Sequence, residues 1–144
     1  MLTASPPTQI EFLGIRLNVH WRPENAIAVE YLPTGAGIYA EIHWPQRGVR
    51  IGETGVGIRQ KIRHDIRWFN GMQRGTEKPA ELRRTIPIAM TAKAHGASAF
   101  VFYVVSADPR LTDKHLRQEC ERHMFSWVEQ NRDFVSWNHQ KSWR

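Results

Sequence analysis

The sequence predicts an α+β fold: a small central three-stranded sheet flanked by helices, with an N-terminal β-rich extension. Three observations predict it. Two short strand-like runs, GIYAEIHW (37–44) and GVRIGE (48–53), are joined by the turn Pro45-Gln46-Arg47, which reads as a hairpin. Two stretches with helical spacing follow. A nearly continuous apolar run, ASAFVFYVVSA (97–107), then reads as a central strand. The order strand, strand, helix, helix, strand, helix suits an α+β domain over residues 36–144, preceded by an extension over residues 1–35.

Each element has its own justification. IEFLGIRLNVHW (10–21) alternates well enough for one or two strands, and Arg22-Pro23-Glu24-Asn25 reads as a turn. AIAVEYL (26–32) reads as another strand, broken by Pro33-Thr34-Gly35-Ala36-Gly37. In IRQKIRHDIRWF (58–69), Ile58, Ile62, Ile66 and Phe69 share one helical face. GMQRGTEKP (71–79) reads as a polar connection. ELRRTIPIAMTAKAHG (81–96) reads as a second helix ending at Gly96, with Pro87 forcing a late start or a kink. Asp108-Pro109 ends the apolar strand. LTDKHLRQECERHMFSWVEQN (111–131) aligns Leu116, Cys120, Met124, Trp127, Val128 and Asn131 along one side, with Thr112 as N-cap.

Composition bounds the function. At 144 residues and 41% hydrophobic, the chain holds about one domain with a real core. No run approaches the roughly 20 apolar residues of a membrane helix, so no membrane partner is expected. The start, MLTASPPTQIEFLG, lacks a basic segment followed by an apolar stretch, so no signal peptide is expected. The single cysteine, Cys120, excludes an internal disulfide and a Cys-rich zinc site. Cytoplasm is the simplest setting. Twenty Lys and Arg against fourteen Asp and Glu give +6, a balance that favours polyanions such as nucleic acid. The seven histidines show no metal-like spacing. Trp68, Trp137 and Trp143 lie near basic residues and are candidates for base stacking or for core packing.

The chemistry concentrates around VRIGETGVG (49–57), where a strand stops in glycines and a basic amphipathic helix follows. Gly37-Ile38-Tyr39 begins one hairpin strand and Arg50-Ile51-Gly52 ends the next, with Tyr39 and Arg50 eleven positions apart. Downstream come the basic helix, Lys93-Ala94-His95-Gly96 leading into an apolar strand, a late helix with glutamates, and an asparagine near the end. Together, over about residues 36–138, these features resemble the GIY-YIG nuclease superfamily, the Lys-Ala-His-Gly stretch resembling its homing-endonuclease branch.

The resemblance implies hydrolysis of DNA phosphodiesters with one divalent metal, usually Mg²⁺ (or Mn²⁺), held by a single glutamate. Tyr39 matches the first signature tyrosine and would position or deprotonate the attacking water. Arg50 stands where the family has its second tyrosine; it cannot act as a base, but its planar fork can bind phosphate. Counting without gaps puts the family's helix arginine at Gln60 and its partner at His64. Helical phase puts both about 160° from the buried face centred on Ile62, and Lys61 about 100° to one side. Lys61 is therefore the preferred counterpart, with Asp65 at the partner position. Arg59, Arg63, Arg67 and His64 are candidate nucleic-acid contacts.

The metal ligand should be a glutamate of the last helix. With Met124 at the centre of the buried face, Glu121 lies about 60° off and Glu119 about 140° off. Glu121 is preferred and Glu119 remains the rival. Asn138 resembles the family's terminal asparagine, as a supporting residue or simply as a helix cap or turn residue. The GETGVG turn either offers helix N–H groups to a phosphate or is only a tight connection. Two other readings stand beside the endonuclease: a catalytically degraded binding module of the same fold, and a basic interaction or toxin-associated protein. The DNA would be duplex or branched, and specific cutting would draw on residues 1–35, the 70–80 loop, the tail or a homodimer.

Overall fold

In the computed structural model, which describes residues 7–77 and 86–138, strands β1 (Gln9–Phe12) and β2 (Ile15–Asn18) form an antiparallel hairpin. Its turn, Leu13-Gly14, has φ of 53° and 78°, the mirror-image turn that matches the twist of a two-residue hairpin. The remaining elements are β3 (Gly37–His43), β4 (Gly48–Thr54), α1 (Ile58–Arg74), α2 (Ile86–His95), β5 (Val101–Ser106), α3 (Lys114–Gln130) and β6 (Val135–Ser136). The main sheet runs β5-β3-β4-β6. It is antiparallel except between β4 and β6.

The fold is α+β, as the element order requires. The sheet has four strands rather than three, because the chain after α3 returns along β4. Val135 N donates to Arg47 O at 2.9 Å and Trp137 N to Val49 O at 2.8 Å.

Strand alternation sorts the sheet into two faces. Tyr39 and Phe102 join Ile58, Ile62, Phe69, Met72, Ile88, Ala92 and Trp137 in one core, against α1 and α2. Ile38, Ala40, Ile42, Val49 and Ile51 join Cys120, Met124, Phe125 and Val128 in the other, against α3. Ile15, Leu17, Val19 and Trp21, from the segment expected as an extension, belong to that second core and are at most 5% exposed.

Several boundaries differ from expectation. Residues 26–32 are not a strand: Val29–Tyr31 makes one 3-10 turn, and Ile27 N donates to Phe102 O at 2.9 Å. Helix α1 continues through Gly71–Arg74, which the polarity suggested was a connection. Met72 still falls on the buried face at 3% exposure, and Gly75, at φ 81°, ends the helix in the left-handed conformation. A 3-10 turn over Gly96–Ala99 delays β5 to Val101. Asp113, not Thr112, caps α3 by accepting Leu116 N at 2.9 Å. The start expected for α2 at 81–85, and also His139 and Trp143, lie outside the described residues.

Candidate functional site

The first group of charges lies on the α1 face of the sheet. Register puts Arg50 opposite Glu41, and Tyr39 opposite Gly52. Arg50 Nη1 donates to Glu41 Oε1 at 2.9 Å and to Asp65 Oδ2 at 3.4 Å. Lys61 Nζ stands 3.5 Å from Asp65 Oδ1, and His64 Nδ1 3.6 Å. The structure thus brings Arg50, Lys61 and His64 together around one buried carboxylate, Asp65.

Glu41 is sealed in the sheet, and its Oε2 meets no donor. Burial, reinforced by the negative Asp65, raises its pKa well above the usual carboxylate range against the pull of Arg50. A protonated Glu41 is then itself a donor to Asp65. Burial works against ionised Asp65, but that hydrogen bond and the charges of Arg50 and Lys61 hold its pKa low. Within the pair, Glu41 resists ionisation and Asp65 favours it.

Tyr39 is fully buried, with its ring against Gly52; a Cβ on that glycine would sit 2.4 Å from the phenol oxygen. Its hydroxyl has no hydrogen-bond partner among the described residues. Burial raises the phenol pKa well above its ordinary value, only partly offset by Arg50. At neutral pH burial keeps the Tyr39 phenol protonated.

A second group lies on the α3 face, at the outer edge of β4. Glu53 pairs with Arg117, whose Nη1 also donates to Leu111 O at 2.9 Å. Glu121 is half-buried beside them. Burial first, then the negative Glu53, pushes its pKa up to about 7, against Arg50, Arg117 and Arg122. Glu119 instead pairs with Arg122 at 3.1 Å with its side chain 35% exposed. Alternation along β4 puts Arg50 and Glu53 on opposite faces, so the two groups meet only around this strand. Beyond Val49 no described strand covers its outer edge.

Hard carboxylate oxygens at Glu121, with Glu53 adjacent, fit a Mg²⁺-like cation that keeps most of its water. Among the described residues no three His, Cys, Asp or Glu side chains form a group that could hold a metal alone. Any such ion would therefore complete its shell with water and substrate oxygens.

The glycine turn is a packing device. The α1 amides of Ile58 and Arg59 already donate to Gly35 O and Pro33 O, at 3.0 and 2.9 Å. Gly57 packs against the Thr34 carbonyl, with 2.5 Å left for a Cβ, and Gly55 lies under the Arg117 guanidinium. The anion site expected at this helix start is occupied by the chain itself. The arginines lie further along: Arg59, Arg63 and Arg67, with Thr34 and Gln60, line an open cleft of about 440 Å³. Arg59 is held in place by donating Nε to Leu32 O at 2.9 Å.

Asn138 is neither a helix cap nor a simple turn residue. Its Oδ1 accepts Ile51 N at 2.9 Å and its Nδ2 donates to Ile51 O at 2.8 Å, so the side chain extends the sheet as a peptide would. Asn138→Ala leaves both Ile51 groups unpaired and is expected to cost about 2–3 kcal/mol in urea unfolding. A loss under about 0.5 kcal/mol would make the pairing dispensable.

Sequence reasoning missed Glu41 and Arg117, and both carried a signal. Glu41 is a charge inside the apolar run GIYAEIH, on the same face as Tyr39. Arg117 lies seven residues before Met124, at the centre of the α3 buried face, where a cation requires a partner. Of the tryptophans, Trp137 is buried at 5% and Trp68 packs edge-on against Phe69. Set against known proteins, the chain matches no family model, no curated protein and no solved structure.

Proposed function

We propose that the protein is a metal-dependent DNA endonuclease of GIY-YIG type, hydrolysing phosphodiesters at the β4 edge. The observation that carries this reading is the meeting, around one strand, of an under-compensated carboxylate (Glu121) with a cation group (Arg50 and Lys61), while Arg59, Arg63 and Arg67 line a cleft on the other flank of α1. The chain order and the sheet order β5-β3-β4 suit the same reading.

Glu121, with Glu53 beside it, would hold Mg²⁺ or Mn²⁺. The ion would neutralise phosphate charge and favour ionised water. Arg50 and Lys61 flank Asp65 with side chains 28% and 35% exposed, so both stay within reach of a phosphate oxygen. Glu41 and Asp65 fix the Arg50 guanidinium before substrate arrives, lowering the ordering cost of that contact. Arg59, Arg63 and Arg67 recur about every 6 Å along α1 and would track a phosphate backbone. Asn138 holds β4 in register beneath these groups.

A second reading, a binding module without turnover, is favoured by one observation: Tyr39 is 0% exposed, so substrate cannot touch it without movement. Supercoiled plasmid incubated with Mg²⁺ or Mn²⁺, with EDTA, and with Glu121→Ala separates the two. The endonuclease nicks plasmid with metal only, and Glu121→Ala binds DNA but does not nick. Salt-sensitive gel shifts with no nicking at all would select the binding module.

A further inference from the structure

At the end of the sheet formed by the β3–β4 turn, four aromatic rings surround a cavity of about 180 Å³: Trp21, Trp44, Trp127 and Phe134. Phe134 meets Trp21 and Trp44 at ring-centroid distances of 5.5 and 5.7 Å, and Trp21 meets Trp127 at 5.4 Å, all edge to face. Trp44 is fixed by donating Nε1 to the Tyr103 hydroxyl at 2.9 Å. The Trp21 indole N–H, buried in this wall, has no acceptor in the described protein. A volume below the roughly 300 Å³ of drug-sized pockets suits one flat ring rather than a larger ligand.

We propose that this cavity takes a single unpaired nucleobase of the strand whose phosphate is handled at the β4 edge. The substrate class is then DNA with unpaired or extruded nucleotides near the cut, which rests on the nucleic-acid reading above and narrows it. The rim chooses between the two ligand types that aromatic boxes hold. A methylated ammonium requires open ring faces and negative charge. Here Arg47 lies over the Trp44 ring at 5.2 Å, Arg22 also lines the cavity, and Asp133 is its one acid. Guanidinium planes and rings together stack bases, and the arginine charge meets the flanking phosphates. Asn131, whose Oδ1 already accepts the Asp133 amide at 2.7 Å, brings an NH₂ donor to the base edge.

Along the α3 axis the two places are a few nucleotides apart, with the Glu121 and Trp127 side chains about 120° apart around it. Trp127 lies six residues beyond Glu121 on α3, about 9 Å along its axis. That is two or three nucleotides at a stacked rise of about 3.4 Å.

The test uses fluorescence anisotropy with a short labelled oligothymidylate, a strand of equal length that is abasic at every position, and a duplex of equal length. The intact strand should bind about ten-fold more tightly than the abasic one, and quench tryptophan emission. Arg47→Asn should lose most of that gain. Arg47 is exposed at φ 56°, a conformation asparagine tolerates, so the variant keeps its fold. Trp44→Leu, checked by thermal melting, should lose the gain as well. Equal binding of intact and abasic strands, or an undiminished gain in Arg47→Asn, overturns the proposal. Displacement of the strand by tetramethylammonium chloride beyond that by an equal concentration of sodium chloride overturns it in favour of a cation box. Metal-dependent nicking without any base-dependent gain removes only this inference. Absence of both nicking and salt-sensitive DNA binding removes the nuclease reading with it.

Discussion

Glu121→Gln is expected to stabilise the protein by about 1–3 kcal/mol at pH 8 and to leave stability at pH 4 nearly unchanged. In the fold the Glu121 pKa stands at about 7, against an ordinary value of 4.5, because burial and Glu53 disfavour its charge. Between those values the folded state holds a proton that the unfolded chain has lost. Stability therefore falls as pH rises from about 4.5 to 7 and is flat above. Glutamine has no proton to lose and removes that penalty. Urea unfolding at pH 4, 6 and 8 checks it; parallel wild-type and variant curves across this range would sink the assignment. A carboxylate that resists ionisation also gains from a bound cation. Mg²⁺ and protons compete for it, so metal affinity of the wild type should rise with pH through about 7 and vanish in the variant. Titration calorimetry with Mn²⁺ at pH 6 and 8 measures this separately from catalysis.

Arg50→Ala is expected to cost about 3–5 kcal/mol at neutral pH, a fall in Tm on the order of 10 °C. Arg50 is the cation that Glu41 and Asp65 share, with their side chains 0% and 10% exposed. Without it, Asp65 loses one of its two cations and Glu41 Oε1 loses its donor. The sign with pH follows from Asp65, whose folded pKa is lowered. Its stabilising contribution is present above the ordinary carboxylate range and is lost as pH falls, so the mutational cost should shrink toward pH 3. Arg50→Lys keeps charge but loses the fork that reaches both acids. It should recover roughly half the stability and little nicking activity. Full nicking by Arg50→Lys would assign Arg50 a structural role alone.

These two residues also mark where the sequence was legible. Glu121 was separable from Glu119 by helical phase, because α3 buries one side and the 100° step carries over directly to the fold. Lys61 was placed at the core edge, and His64 outside it, by the same reasoning. Arg50 was read as a strand-end cation whose planar fork could bind phosphate. Its real partner across the hairpin is Glu41, and that pairing depends on where the 3-10 turn Trp44–Gln46 and Arg47 close the strands. One residue more in the turn would have moved Glu41 out of opposition.

The sequence by itself determined the α+β order, the buried stripe of α1, the β3–β4 hairpin and the basic character of the α1 surface. Each depends on spacing or composition within a short window. Tertiary structure decided the remainder. It folded Ile15–Trp21 into the α3-side core, joined Asp65 to Glu41, set Glu53 beside Glu121, and turned Asn138 into a backbone mimic for Ile51. Those pairings span up to 106 positions, from Trp21 to Trp127. They follow from which chain segments burial brings together, and no local pattern of residues encodes that.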